Sequence, residues 1–221
     1  MVFFPDRRQA GRELATRLEK LRGRDVVVLC LPRGGVPVGF EVAQALGALL
    51  DVIVVRKLGY PAQPELAMGA IGEGGIRMLD ANLRARYGVR DDEIRRVEQR
   101  EQRVLDERVN DIRRGRPRID LDGRIAVIVD DGIATGFTAR AACEVARRLG
   151  ASKVVLAVPV CPAETRIPEA DEVVSVHAPR RFVAVSQHYR DFRPTTDEEV
   201  MALLDEAAHP PAGTDPDPEL G

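Results

Sequence analysis

Tryptophan, cysteine and a surplus of either charge are scarce or absent in this sequence. Its 221 residues contain no Trp and three Cys, and 33 basic and 35 acidic side chains leave a formal net charge of -2. A near-neutral chain has no overall attraction for polyanions, so nucleic acid is not an expected partner. Cys30, Cys143 and Cys161 include no C-x-x-C spacing, which argues against a zinc site and indicates reduced thiols.

Long apolar runs are missing as well. No stretch approaches the length of a membrane span. The first residues, MVFFPDRR, reach charge too soon for a signal peptide. We therefore expect no membrane association and a cytoplasmic location. A chain of 221 residues is long enough for one α/β domain with an accessory piece, but too short for two independent enzymes.

Apolar runs and amphipathic segments alternate along the chain and predict a doubly wound parallel α/β sheet. Short β-branched runs at 25–31, 51–55, 125–129, 152–159 and 171–176 are typical of buried parallel strands. Helical spacing predicts helices over 6–22, 37–46, 138–149 and 197–208, with a short one from about 163. This alternation favours a sheet that is covered by helices on both faces.

The most informative stretch is 125–138, which reads IAVIVDDGIATGFT. Asp130 and Asp131 follow a buried strand, so they are expected at the crevice where open α/β sheets bind ligands. The glycine-containing loop after them opens a helix, whose N-terminal N–H groups suit a phosphate. A sugar phosphate would satisfy both halves. The alternatives are an ordinary turn with solvated acids, and a phosphoaspartate protein that uses Asp130 or Asp131.

This motif resembles the phosphoribosyl pyrophosphate (PRPP) loop of type I phosphoribosyltransferases. The resemblance implies that Asp130 and Asp131 are catalytic, hold the ribose hydroxyls, and meet a metal only through substrate or water. It also implies that the loop binds the 5′-phosphate through Gly132, Ile133, Ala134, Thr135, Gly136, Phe137 and Thr138. In 6-oxopurine members of the family an acid stands at the position of Ala134, so here the general acid or base is unassigned and the nucleobase is open.

Two more segments place cations directly after predicted strands. Arg33, Gly34 and Gly35 follow the first strand, and Arg56 and Lys57 follow the second, within RKLGYP. Cations and close-approaching glycine N–H groups suit a diphosphate. R-G-G resembles the family's pyrophosphate loop, and R-K-x-G-x-P resembles a segment of adenine phosphoribosyltransferases. The resemblance implies that all five residues bind pyrophosphate, with Arg33 and Lys57 catalytic. A plain turn and a solvated basic strand end are the alternatives.

Residues 58–75 and 80–115 interrupt the strand–helix pattern. The Gly-, Pro- and Ala-rich segment 58–75 occupies the position of the family's mobile lid, where Glu65 is a candidate acid beside the reacting nitrogen. The segment 80–115 is a charged insertion with a predicted helix over 91–114. Its interleaved acids and lack of aromatics favour a solvated or subunit-contacting helix over an RNA surface. Its narrow apolar stripe contains Ile94, Val97, Val104, Leu105, Val109 and Ile112.

The C-terminal part corresponds to the small hood that covers the sheet and binds the base in this family. Hood elements are expected at about 177–195, with a strand inside 180–192. Phe182 and Tyr189 are candidates to stack on a base, although both rings could equally anchor the C-terminal segment to the core. One domain spanning 1–208 then precedes a disordered, proline-rich tail at 209–221.

The resemblance implies an enzyme of nucleotide salvage, a phosphoribosyltransferase that carries out pentosyl transfer. It would bind PRPP with Mg²⁺ as cofactor and transfer the 5-phosphoribosyl group to a small nitrogen nucleophile, with release of pyrophosphate. Mg²⁺ commonly binds through substrate oxygens and waters, so no protein cage is required. We expect a homodimer. The alternative is a non-catalytic PRPP sensor of the same fold that acts through nucleic acid or a protein partner, which salt-dependent nucleic-acid binding would favour.

Overall fold

The computed structural model describes residues 4–79 and 88–209. Residues 1–3, 80–87 and 210–221 lie outside the described residues, as do the side chains of Pro64 and Glu65. The start of the predicted insertion, the predicted tail apart from His209, and the candidate lid acid Glu65 therefore fall outside that description.

A five-stranded parallel sheet forms the centre of the described chain. In order across the sheet its strands are β2 (Leu49–Val52), β1 (Val26–Cys30), β6 (Ile125–Val129), β7 (Lys153–Val160) and β8 (Glu172–His177). The helices are α1 (Arg7–Arg17), α2 (Gly35–Leu46), α3 (Asp91–Arg113), α4 (Phe137–Arg148) and α5 (Asp197–Ala208). The predicted α/β class with a parallel sheet is confirmed.

The strand order reverses between β1 and β6. The chain runs from β1 through α2 to β2 on one side, and later from β6 through α4 to β7 on the other. Cys30 and Val129 are register partners, so the two strands end side by side. Ligands of open α/β sheets bind outside the carboxyl ends of the strands at such a reversal. The topology therefore places 31–35 and 130–138 at the same crevice.

Both faces of the sheet are buried because each central strand is apolar at every position. Val26, Val28 and Cys30 pack with α1 and α2, whereas Val27 and Leu29 pack on the opposite face with α4. Successive strand side chains point to opposite faces, which explains why the runs show no polar alternation. The sheet therefore carries a layer of helices on each face.

A second, antiparallel sheet holds β3 (Val55–Tyr60), β4 (Gln63–Gly72) and β5 (Ile76–Leu79). The predicted strand 51–55 is therefore wrong in its bounds, because the parallel strand ends at Val52 and the chain crosses to this sheet at 53–54. The predicted lid 58–75 is largely strand. A Cβ at Gly72 would lie 2.5 Å from Cγ2 of Val145 on α4, so this end of the hairpin is closely packed. The mobility of the predicted lid stays a prediction.

Helix α3 covers the antiparallel sheet, and the predicted helix over 91–114 agrees with its observed bounds. It packs against β3 and β4, and four of the six stripe residues are buried, namely Ile94, Val97, Leu105 and Ile112. Val104 departs from the stripe because 38% of its surface is exposed. The apolar stripe of the helix thus covers the antiparallel sheet, and a subunit contact through its charged side stays a prediction.

Two minor predictions in the C-terminal part are wrong. No helix lies within the described segment 161–171 between β7 and β8. This segment contains turns instead, because Pro162 and Pro168 disfavour a continuous helix. No strand occurs within the described residues 180–192, which instead contain a 3₁₀ turn at Val185–His188. Helix α5 begins as predicted, because Thr196 and Glu199 form a capping box.

The N-terminal segment joins the C-terminal segment beside the sheet. Phe4 N donates to His188 O at 2.8 Å, and Arg190 N donates to Phe4 O at 2.9 Å. The start of the described chain is therefore held against residues 188–190 next to the crevice. Among the described residues, no helix combines the length and the apolar character that crossing a membrane requires.

Candidate functional site

Asp130 and Asp131 follow β6 directly and stand at the crevice between β1 and β6. Asp131 N donates to Asp130 Oδ1 at 2.9 Å, which holds the Asp130 carboxylate against the following peptide group. The hydroxyl of Tyr189 donates to the Asp131 backbone oxygen at 2.6 Å. The acid pair is thus held from β6 on one side and from the C-terminal segment on the other.

Arg7 from the start of α1 neutralises one of these acids. Its Nε lies 2.8 Å from Asp131 Oδ2, and both side chains are mostly buried. The guanidinium also stacks over the Phe192 ring at 4.0 Å and donates from Nη1 to Arg193 O at 2.8 Å. Three contacts fix its plane, so the charge of Arg7 is fixed in position beside the acid.

Burial makes both carboxyl groups weaker acids than usual. Burial raises the pKa of Asp130 well above its ordinary value, and the neighbouring charge of Asp131 raises it further. Burial also raises the pKa of Asp131, while Arg7 lowers it and partly offsets this effect. Two close carboxylates away from water cannot both ionise at low cost. The arrangement favours a ligand that brings hydrogen-bond donors or a cation to the pair.

The RGG loop (33–35) touches the acid pair. A Cβ on Gly34 would stand 2.1 Å from Asp131 Oδ2, and one on Gly35 would stand 2.5 Å from Val129 O. These distances leave no room for any side chain, so glycine is required by the close approach of two loops. Arg33 itself is about half exposed, and its Nη1 lies 3.9 Å from Asp197 Oδ2 at the start of α5.

The acid loop (130–138) leads into the N-terminus of α4. Ile133 is buried and its N–H donates to Val160 O at 2.9 Å, which anchors the middle of the loop. Gly136 adopts φ 75°, a left-handed conformation that glycine accepts without strain. Ala134, Thr135 and Thr138 are exposed. The loop therefore presents two hydroxyls beside a helix N-terminus, an arrangement that suits an anion.

Arg56 and Lys57 lie elsewhere than predicted, because they are part of β3 in the antiparallel sheet rather than the end of a parallel strand. Arg56 Nη2 lies 2.8 Å from Glu101 Oε2 on α3. Arg56 nevertheless borders the crevice. A cavity of about 150 Å³ brings it together with Pro32 beside the RGG loop, Thr138 of the acid loop, and Val104 and Arg108 of α3.

Three further charged residues lie at this crevice without any sequence motif that indicates them, namely Arg7, Arg108 and Asp197. Arg7 stands 124 positions from the acid it contacts. Arg108 Nη2 lies 2.7 Å from Asp197 Oδ1, so α3 and α5 meet here. No local motif signals any of the three, since each belongs to an amphipathic helix with many similar charges.

The candidate base-stacking residues differ in accessibility. Tyr189 is buried, with its ring centroid 5.4 Å from Phe4 and 5.0 Å from Phe192. Its ring is therefore occupied by protein contacts, which does not fit the predicted base-stacking role. Phe182 is partly exposed and stacks on His188 with an interplanar angle of 11°. Of the two rings, Phe182 is the one that a ligand could reach.

The acid pair is the predicted contact for a metal bound to the substrate. Within 4–79 and 88–209, no group of three or more His, Cys, Asp or Glu side chains is arranged to hold a metal ion. Asp131 is already paired with Arg7. Mg²⁺ usually binds through water and ligand oxygens, and contact of Asp130 and Asp131 with this ion in that way stays a prediction.

Comparisons with known proteins agree on one family. The family described as Phosphoribosyl transferase domain matches residues 5–191. A Mycobacterium tuberculosis protein named "Putative phosphoribosyl transferase Rv0571c" is 57% identical over 210 residues, which cover 94% of this chain and 47% of that protein. The chain thus spans about half the length of this curated relative.

Two solved structures are similar to this chain. The crystal structure of TT1426 from Thermus thermophilus is 44% identical, with a TM-score of 0.81, and the match covers 93% of this chain and 99% of that one. A hypothetical protein from Neisseria gonorrhoeae with bound ppGpp has a TM-score of 0.50 at 11% identity, over 92% and 95% of the two chains. That second likeness shows the fold alone.

Proposed function

The chain belongs to the phosphoribosyl transferase family, and from this premise we propose that it transfers the 5-phosphoribosyl group of PRPP to a nitrogen nucleophile, releasing pyrophosphate. One observation carries the proposal. The RGG loop and the acid loop meet at the carboxyl ends of β1 and β6, so closely that Gly34 could carry no side chain beside Asp131. A ligand with a diol and two separate phosphate groups matches this pair of loops.

Each part of the crevice has a role in the proposed reaction. Asp130 and Asp131 accept hydrogen bonds from the ribose hydroxyls and place negative charge near the cationic sugar of the transition state. The N–H groups and hydroxyls of 132–138 bind the 5′-phosphate, which holds the sugar in reactive orientation. Arg33, Gly34, Gly35 and Arg56 bind the diphosphate and stabilise it as it leaves, whereas Lys57 follows Arg56 in β3 and is directed to the other face of that strand. When bound to the substrate, Mg²⁺ neutralises diphosphate charge.

The residues of the crevice do not specify which nitrogen compound is the acceptor or which group exchanges a proton with it. Ala134 provides no acid or base inside the loop. Phe182 is the proposed contact for a flat nitrogen base, and Glu65 is a proposed lid acid. We also propose that the protein acts in nucleotide salvage in the cytoplasm as a homodimer.

The test is pyrophosphate release from PRPP and Mg²⁺, measured across purines, pyrimidines and small nitrogen nucleophiles. We expect release with one acceptor and its loss in Asp131→Asn and Arg33→Ala. Arg33 is about half exposed, so its replacement should leave the fold intact. Arg17→Ala, at an exposed position of α1, is the matched control.

The possible outcomes distinguish a transferase from a PRPP sensor. Full activity in both site variants would refute the residue assignment. PRPP binding by calorimetry without turnover on any acceptor would favour a PRPP sensor instead. Failure to bind PRPP at all would refute the proposal.

A further inference from the structure

One face of α3 forms a wall of the crevice. Glu101, Val104 and Arg108 are spaced three and four residues apart, so they lie on the same side of the helix. Glu101 pairs with Arg56, while Val104 and Arg108 border the cavity of about 150 Å³ between the RGG loop, β3 and the start of α4. The helix thus reaches the site at which the proposed diphosphate binds.

Arg108 and Arg33 both lie close to the same acid, Asp197. Arg108 Nη2 is 2.7 Å from Asp197 Oδ1, and Asp197 Oδ2 is 3.9 Å from Nη1 of Arg33 in the RGG loop. The neighbouring guanidinium of Arg108 lowers the pKa of Asp197, and the charge of Arg33 adds to this effect. One ionised carboxylate therefore lies within reach of arginines from two different elements.

The described side chains that line the cavity carry only positive charge, and in the free protein the acids that balance it stand outside the lining, Glu101 beside Arg56 and Asp197 beside Arg108. Of the described residues that line the cavity, two are arginines, Arg56 and Arg108, and none is acidic. Apolar neighbours such as Pro32 and Val104 strengthen electrostatic attraction by excluding water. Arginine binds phosphate oxygens through two parallel donors. A diphosphate is the part of the proposed substrate whose charge matches such a cavity.

We infer that Arg108 binds the diphosphate of the substrate, exchanging its ion pair with Asp197 for one with the ligand. The inference rests on the proposed function and adds a residue from α3 to the site. Asp197 then competes with the ligand for Arg108, and in the free protein it holds the arginine at the edge of the cavity.

The test compares three ligands by calorimetric titration of the full chain with Mg²⁺ at constant salt, namely PRPP, inorganic pyrophosphate and ribose 5-phosphate. In Arg108→Ala we expect PRPP and pyrophosphate to bind about tenfold to a hundredfold more weakly, as for a lost charge-assisted contact. Ribose 5-phosphate should bind unchanged, because it lacks the diphosphate. Arg103→Ala, at an exposed position of the same helix, is the control.

A second variant excludes a merely structural effect. Asp197→Asn removes the same ion pair but keeps Arg108, so pyrophosphate should bind as tightly as before or more tightly. An equal loss in Asp197→Asn and Arg108→Ala would overturn the inference, as would an equal loss of ribose 5-phosphate binding. Unchanged PRPP binding in Arg108→Ala refutes this inference alone. Absence of PRPP binding by the unaltered protein refutes both it and the proposed function.

Discussion

Replacement of Arg113 tests how α3 is fixed to the rest of the fold. This arginine is buried at the C-terminal end of α3 between two buried acids, Asp51 of β2 and Glu73 after β4. Its Nε lies 2.7 Å from Glu73 Oε2, and its Nη1 lies 2.9 Å from Asp51 Oδ1. Nη2 also donates to Val52 O at 3.1 Å. One side chain therefore joins the helix to both sheets.

The perturbation is Arg113→Met, which keeps much of the side-chain volume but removes the charge. Two buried carboxylates would lose their cation, and breaking a buried ion pair in this way costs about 3–5 kcal/mol. Backbone donors stay in place, since Ile119 N reaches Asp51 Oδ2 at 3.0 Å and Val54 N reaches Glu73 Oε1 at 3.0 Å. These hydrogen bonds partly compensate the carboxylates for the missing cation, so we expect the free energy of unfolding to decrease by about 3 kcal/mol.

Equilibrium unfolding in urea measures this decrease by linear extrapolation. Arg103→Met on the exposed side of α3 is the control and should change stability by less than about 0.5 kcal/mol. The triple variant Asp51→Asn, Glu73→Gln, Arg113→Met should recover at least half of the loss, because it leaves no unpaired buried charge. A decrease below about 1 kcal/mol in Arg113→Met would refute the reasoning.

Three further predictions concern the acid pair. In Arg7→Ala the pKa of Asp131 should rise further, because the neighbouring positive charge that lowers it is gone. PRPP binding requires the ionised acid, so on acidification the PRPP affinity of Arg7→Ala should begin to fall at a higher pH than that of the unaltered protein. The measurement is PRPP affinity between about pH 5 and 8; the same pH dependence in both proteins would contradict this. In Tyr189→Phe the Asp131 carbonyl loses a 2.6 Å hydrogen bond, so thermal and urea unfolding should show about 1 kcal/mol less stability, and no change would disagree. In Gly34→Ala the new Cβ would displace the Asp131 carboxylate and disturb its ion pair with Arg7, so calorimetry should show loss of PRPP binding and the melting temperature should fall as well; PRPP binding as tight as that of the unaltered protein would contradict this.

Much of the fold was predictable because local chemistry determined it. The run 125–129 is apolar at every position and is followed by acids and glycines, so strand, loop and helix followed from the residues alone. The charged helix at 91–114 and the capped helix at 197–208 were predicted for the same reason, since helical periodicity and capping act over a few residues.

The errors occurred where the chain changes sheets or where proline and short turns compete with regular structure. The segment 51–60 contains two strands of different sheets, and no residue in it shows that the partner changes at 53–54. Tyr189 carries an aromatic ring suited to stacking, but its surroundings are determined by Phe4 and Phe192, far apart in the sequence. Ring chemistry is local, whereas the burial of a ring is not.

The sequence alone determined the family motif, the strand–loop–helix units that carry it, and the residue types that suit a sugar phosphate. Tertiary structure alone decided which charges meet those units. Arg7 reaches Asp131 across 124 positions, and Arg108 reaches Asp197 from a different helix. The physical reason is that hydrogen-bonding capacity and periodicity belong to neighbouring residues, whereas ion pairing and burial depend on the packing of elements whose contacts no local pattern encodes.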